Sequence, residues 1–532
     1  MIICNNIRLG VDSRQEDAIS AAVRKTGLKH SRIRECWINK VSIDARKGKV
    51  SLVYSVGMSL IDPALEAMLS ARDPDMQLKA PAEIRFEIGP KPMETRPVVI
   101  GFGPAGFMRA LALAYMGMRP LVIEQGGTVD ERNEAVKRFE TQRKLDPFTN
   151  VQFGEGGAGT FSDGKLTTRI NDPRCNWVLE RLVSHGAPDE ITRKAKPHIG
   201  TDLLGDVVKN IREDIISRGG EILFNTRMTD IVTKNGNVCA VRTDRGDFPA
   251  QTVILATGHS AREVFGILEN RGAVLVAKPF SVGVRIEHLQ EDIDRALYHG
   301  LAGHPNLSRG EYQLSWTRGE RGVYTFCMCP GGTVVAARSE TDTVVTNGMS
   351  RHARDGRNSN SALVVSVSEK DFDSDYRKRI SFQRELEHKA YLLGGSDYCA
   401  PAQTVGRFLE GKSGMDIKRI IPTYPMGVRE ADFDLLFPDY VTKGLREALP
   451  VMDARISGFA VADAVLTGPE TRTSSPVRIE RNGEYVSRIG GLYPAGEGAG
   501  YAGGIMSAAV DGVRVAQQIC TIYRSPDLSD VI

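Results

Sequence analysis

No stretch of this 532-residue sequence approaches the ~20 consecutive apolar residues that a bilayer-spanning helix needs, so a helical membrane protein is not expected. The opening Met-Ile-Ile-Cys-Asn-Asn lacks the basic-then-apolar form of a secretory leader. The eight cysteines are scattered, with no Cys-x-x-Cys and no zinc-ligand spacing, so neither a disulfide framework nor a metal site is expected. Reduced thiols of this kind fit a cytoplasmic address. A net charge of +3 favours no particular partner, but the charge is uneven. Residues 1–50 carry eleven Lys/Arg against five Asp/Glu, a balance of +6, which leaves −3 for the rest. That stretch holds one aromatic residue, Trp37, which is poor for base stacking; a solvated basic face is the plainer reading than an RNA-binding arm.

What the sequence does have is glycine in a specific setting. The β-branched run Val98-Val99-Ile100 opens into Gly101-x-Gly103-Pro104-Ala105-Gly106, followed by a helical pattern (Phe107, Leu111, Ala114) and a second strand ending in Glu124-Gln125. This is the strand–turn–helix–strand context of a dinucleotide site. Gly101 permits the tight turn, Gly103 lets backbone approach a pyrophosphate, and Gly106 allows close helix–strand packing. The helix N-terminus offers N–H groups to phosphates, and Glu124 is placed for ribose hydroxyls.

Residues 1–88 read as a βαββ module: a strand near Ile7–Val11, a helix over Glu16–Thr26, and strands Cys36–Ala45 and Lys49–Gly57. Gly89-Pro90-Lys91-Pro92 marks a linker, taken as 89–96. Further on, Thr201-Asp202 is placed to cap a helix through Val207, Ile211 and Ile215. Glu221–Asn225 leading into Met228–Thr233, then Val238–Thr243 and Phe248–Leu255, read as a β-meander closing on Ala256-Thr257-Gly258.

That meander, ending in Ala-Thr-Gly, resembles the FAD domain of the glutathione-reductase superfamily. The run Gly491–Met506 resembles its second FAD motif, which implies Glu497 on the ribitol, with Gly496, Gly503, Gly504, Ile505 and Met506 around it. A helix N-terminus there would aim at the flavin pyrimidine and favour the anionic reduced ring. Residues 274–470 hold no second strand–glycine–helix unit, so a dedicated NAD(P)H domain is not expected, although NAD(P)H as a transient reductant stays open. Phe153–Arg169, Ala256–Arg262, Cys329–Gly332, Asn347–Ser350 and Arg472–Arg478 resemble a family of bacterial proteins described only as FAD-dependent dehydrogenases. The resemblance covers essentially the whole chain and implies no substrate.

The expected fold is α/β: a Rossmann-like FAD-binding domain (97–273 and 471–532), an inserted α+β substrate domain (274–470) and the small N-terminal α+β module. Gly157, Thr160, Ser162, Asp163 and Lys165 lie in a loop expected near pyrophosphate or flavin, with Met228, Ala256, Thr257 and Gly258 beside it. Lys165 is a candidate for the flavin N1/O2 edge. His259, at the strand-end crevice, is a candidate acid/base because an unperturbed imidazole titrates near neutrality. Arg351, Arg357, Asn358, Arg472 and Arg478 are candidate substrate contacts, since guanidinium forks suit an anionic small molecule. Cys327 and Cys329, two apart on a probable strand Val323–Cys329, share a face and read as buried structural thiols. The function expected is hydride transfer between flavin N5 and an unidentified small molecule. The alternatives are a tRNA-modifying flavoprotein with an RNA-recruiting N-terminal module, and a flavin-binding sensor without turnover. Oligomeric state is not legible.

Overall fold

Short apolar runs, each too brief to stand alone, build the central sheet of this computed structural model, which describes residues 1–80 and 84–525. Residues 81–83, within the expected 1–88 module, and 526–532, within the expected 471–532 segment, lie outside the described residues. Leu492–Pro494, Val253–Leu255, Val98–Ile100, Leu121–Ile123 and Glu221–Leu223 pair in that order, all parallel. Most of their residues are buried, as expected of strands covered on both faces. The helix Pro104–Tyr115 packs against the helix Ile505–Ile522, joining segments 403 positions apart at the Arg109–Gly512 contact into one core. This is a Rossmann-like α/β fold.

An antiparallel meander (Met228–Lys234, Asn237–Thr243, Gly246–Pro249) hangs from that sheet. The expected strand Phe248–Leu255 is two strands. Its first part ends at Pro249, which has no ladder donor, and Val253–Leu255 enters the parallel sheet. Glu221–Leu223 likewise belongs to the parallel sheet, and the helix Thr201–Ser217 starts after Gly200, whose left-handed φ of 91° makes the turn.

The second layer is a seven-stranded sheet ordered Ser315–Arg318, Arg321–Cys329, Asn358–Val367, Phe280–Leu289, Val465–Glu470, Ala400–Thr404, Val428–Glu430, with only the last pair parallel. Helices Tyr376–Leu393 and Asp439–Asp453 cover it, giving the largest apolar core.

The N-terminal module is a four-stranded sheet ordered 33–44, 51–60, 2–9, 76–78. Its first strand is Ile2–Leu9 rather than Ile7–Val11. The helix Pro63–Arg72 and the strand Met76–Leu78 were not anticipated, the helix because its apolar periodicity is weak. The linker is not free: Gly89 N–H donates to the Cys520 carbonyl at 2.7 Å, and Lys91–Pro92 pairs with Tyr523–Arg524. The module's edge is extended by Val41 N–H to the Arg193 carbonyl (2.8 Å) and Ala195 N–H to the Val41 carbonyl (2.9 Å). Trp37 lies across Gly57 of the neighbouring strand, where a Cβ would come within 2.2 Å of the indole. Gly57→Ala is expected to displace Trp37 and destabilise the module by about 1–3 kcal/mol. Tryptophan emission and the unfolding midpoint report this; both unchanged would refute the packing argument.

Candidate functional site

Between the two large sheets runs a cavity of about 1240 Å³. That exceeds the roughly 300–1,000 Å³ of a typical small-ligand pocket, so it has room for a dinucleotide and a second molecule. Its walls begin at the glycine turn. Gly101 has φ 96°, and a Cβ there would meet the Ala256 carbonyl oxygen at 2.5 Å; a Cβ on Gly106 would meet the Gly101 oxygen at 2.0 Å. Both glycines serve protein packing. Gly103 differs: a Cβ there would meet nothing closer than Gly157 Cα at 3.7 Å, and the residue lines the cavity. Pro104 opens the helix at a position whose N–H would have no intrahelical partner.

Gly101, Gly103, Pro104, Ala105, Glu124 and Gln125 line the cavity at this end. Glu124 is buried and accepts from the N–H groups of Phe102 (2.8 Å), Gly126 (2.9 Å) and Gly154 (3.0 Å). A carboxylate offers about four acceptor positions, so roughly one remains for a ribose hydroxyl. Gly157, Ser162, Asp163, Lys165, Met228, Ala256, Thr257, Gly258 and His259 form the next stretch of wall. In the loop from Gly154, Gly157–Phe161 forms a 3₁₀ turn against Gly103. Glu497, Gly503, Gly504 and Ile505 line the opposite side, where added Cβ atoms on Gly503 and Gly504 would meet nothing within 4 Å.

Four expected contacts stand behind the wall. Gly106 packs on the turn. The Thr160 hydroxyl accepts from Arg132 at 2.8 Å and donates to the Gly157 carbonyl. Gly496 N–H donates to Asp511 at 2.8 Å, and Met506 is buried in the helix core.

The candidate substrate contacts need correction. Arg351 and Arg357 are exposed, the latter donating to the Arg419 carbonyl at 2.8 Å. Asn358 is buried against Glu287 and the Ile421 carbonyl. Arg478 points outward by strand alternation within Val477–Ile479 and lies 5.3 Å from the Tyr501 ring. None of these four lines the cavity. Arg472 does, but its guanidinium is committed to Glu387 (2.9 and 3.1 Å), Ser260 (3.0 Å) and Ser339 (2.7 Å). The arginine argument for an anionic substrate therefore loses its geometry.

His259 is also corrected. Burial, then Arg472, Arg262 and Lys278, push its imidazole down to about 3, so it is neutral and a very weak base near neutral pH. Its Nε2 lies 3.6 Å from Glu497 Oε1. Glu497 itself is pushed up to about 7 by burial, against the pull of Lys278.

The Asp163 carboxylate is the hub of an ion-pair cluster at the cavity wall. It accepts from Arg354 Nε (3.0 Å) and Arg354 Nη2, from Lys165 Nζ (2.8 Å) and from Ser350. Lys165 also donates to the Met328 carbonyl and faces Glu311 at 3.8 Å. Burial lowers the ammonium's pKa, but Asp163, Cys329 and Glu311 outweigh it, so Lys165 stays charged. This knot ties the glycine-loop layer to the seven-stranded sheet.

Sequence reading missed the far end of the cavity, walled by Tyr312, Trp316, Tyr324, Asn347 and Glu470. Glu470 ends the strand Val465–Glu470, is 3% exposed, and takes Arg285 Nη1 at 3.2 Å on one oxygen. The other oxygen makes no hydrogen bond of good geometry among the described residues; the Thr346 hydroxyl, equally without one, is the group that stands against this carboxyl. Burial pushes the Glu470 carboxyl up to about 7 despite Arg285. No local motif marks this residue, because its partner lies 185 positions away.

Fold and cavity together define a Rossmann-like α/β protein with a second sheet closing the cavity. Residues 279–473 match the family described as "FAD-dependent protein, C-terminal domain-like", and residues 1–59 match a domain of unknown function (DUF8436). A protein of Clostridium beijerinckii, described as uncharacterised, is 45% identical over 530 residues, covering 98% of this chain and 99% of that one. The chain belongs to the family of that clostridial protein. Solved structures with similarity include the L-proline dehydrogenase from P. horikoshii (13% identity, 80% of this chain and 94% of that one, TM-score 0.35). Another is the FAD-complexed glycerol-3-phosphate dehydrogenase from Bacillus halodurans (11% identity, 82% and 66%, TM-score 0.34).

Proposed function

We propose that the chain is an FAD-dependent oxidoreductase that moves hydride between a bound small molecule and flavin N5. The observation that carries this reading is the single cavity wall running from the glycine turn to Glu470. The residues at its near end fit a dinucleotide: Gly103 leaves the backbone open to a pyrophosphate, Glu124 keeps an acceptor, and Gly503–Gly504 leave space before a helix N-terminus. Bound FAD would supply two-electron transfer.

The chain's own residues then have distinct tasks. The first-turn N–H groups of Ile505–Ile522 present partial positive charge to the cavity, which favours an anionic reduced ring. Lys165 adds a full charge held in place by Asp163. Tyr312 and Trp316 exclude water from the far end and give the second molecule an apolar bed. Glu470, buried with one unbonded oxygen and titrating near neutrality, can take or give the proton that accompanies hydride transfer. Among the described residues, 274–470 holds no second strand–glycine–helix unit, so a nicotinamide donor would reach the flavin through this same cavity.

Purified protein is expected to show oxidised-flavin absorbance that bleaches anaerobically with NADH, with NADPH, or with a reduced substrate found by screening metabolites. Protein that neither carries nor takes up FAD would refute the reading.

A further inference from the structure

We propose that Cys327 and Glu470 form a nucleophile–acid pair at the far end of the cavity, built to add a thiolate to a flat, conjugated carbonyl compound. This goes beyond hydride transfer and does not rest on it.

The geometry departs from an ordinary strand. Cys327 has φ 43°, a left-handed conformation that a non-glycine residue rarely adopts and that concentrates at functional sites. The ladder between Arg321–Cys329 and Asn358–Val367 jumps register between Phe326 and Cys329, so simple alternation ends there. The two cysteines therefore do not play the same part: Cys329 is fully buried, whereas Cys327 lines the cavity. The Cys329 thiol donates to the Cys327 carbonyl at 3.4 Å. Arg285, itself fully buried, holds both members of the pair. Its Nη2 donates to the Cys327 carbonyl at 2.7 Å and its Nη1 to Glu470 at 3.2 Å.

Electrostatics agree with that placement. The Cys329 S–H, when it turns from the Cys327 carbonyl to the Cys327 sulfur, draws that thiol below its ordinary pKa together with Arg285 and Lys165, against burial and Asp163. The Cys327 charge in turn helps keep Glu470 protonated. A thiolate and a protonated carboxyl that line one cavity and are held by one guanidinium make the charge arrangement an addition needs.

The acid decides the class of electrophile. Displacement at a saturated carbon needs no proton, but addition to a conjugated carbonyl does. Cys327 Sγ bonds to the β-carbon and the C=C π pair moves to the α-carbon, which takes the Glu470 proton. No electrons enter or leave, and the resulting carboxylate faces Arg285. The aromatic side chains of Tyr312, Trp316 and Tyr324 suit a flat apolar body.

The test uses full-length protein as purified, with flavin content read separately by absorbance, so that failure of the flavin reading is seen on its own. Brief pulses of N-ethylmaleimide, a conjugated carbonyl, or of iodoacetamide, a displacement reagent, are given well below the ordinary thiol pKa, then mapped by peptide mass. Cys327 is expected to be labelled roughly tenfold faster than the exposed Cys239 with both reagents. Glu470→Gln is expected to slow N-ethylmaleimide at Cys327 by roughly tenfold while leaving iodoacetamide within about twofold. Labelling of Cys327 no faster than Cys239 would overturn the proposal, as would equal slowing of both reagents in the variant. The wild-type map decides the nucleophile even if the variant folds poorly.

Discussion

Gly103→Ala is expected to fold as the wild type does and to bind FAD roughly ten- to hundredfold more weakly, because a methyl forced into a packed contact costs about 1–3 kcal/mol. The separation of the two effects comes from local geometry. Gly103 has φ −79°, which alanine adopts freely, and its added Cβ would sit 3.7 Å from Gly157 Cα, an ordinary contact. The protein alone does not require glycine there; the expected pyrophosphate does. Gly101→Ala is the contrasting case, with a left-handed φ of 96° and a 2.5 Å clash with the Ala256 carbonyl, so it should lower stability before any ligand is added. Thermal midpoints of the flavin-free proteins and FAD titration by fluorescence quenching check both. An FAD affinity of Gly103→Ala equal to wild type would remove the pyrophosphate from this turn.

The second large effect is expected at Glu387. It is fully buried and accepts from Arg262 at 2.8 and 3.1 Å and from Arg472 at 2.9 and 3.1 Å, with Thr471 adding a hydroxyl at 2.8 Å. Glu387→Gln leaves buried Arg472 without its counter-charge and Arg262 with Glu340 alone, and breaking a buried pair typically destabilises by about 3–5 kcal/mol. Arg472 also holds Ser260, so the cavity wall beside His259 should loosen. The pH dependence has a definite sign. Burial raises the Glu387 carboxyl, but Arg262 and Arg472 outweigh it and leave it well below the ordinary carboxylate range. Its contribution is therefore complete above the unfolded glutamate pKa of about 4.3 and is lost as pH falls toward the depressed value. Urea midpoints measured from neutral pH down to about pH 3 should hold until about pH 4–5 and then fall with acid in the wild type. In Glu387→Gln they should start lower and lack that component. Parallel curves would refute the assignment.

Legibility in the sequence followed locality. The turn at Gly101–Gly106, the strand ending in Glu124 and the Ala256-Thr257-Gly258 strand end were readable because each depends on residues within one βαβ unit and on backbone freedom that only glycine supplies. Errors came where sequence neighbours part company in space. The arginines near 351–358 look like one polar patch in the sequence, yet Arg351 and Arg357 stay outside while Arg354 turns inward to Asp163. His259 was judged by its unperturbed pKa, a property that burial among cations then removed. The i, i+2 rule placed Cys327 and Cys329 on one face, and a register jump separated them.

The sequence by itself determined the Rossmann-like unit and the glycine turn that opens onto the cavity, since periodicity, turn chemistry and helix-end polarity are local properties of the chain. Only the tertiary structure decided what lines the other end of that cavity. Glu470, Arg285 and Cys327 come from three strands far apart in the chain, and their charge states exist only because a sheet buries them together. Burial sets the pKa of an acid, and burial is not written at any one position.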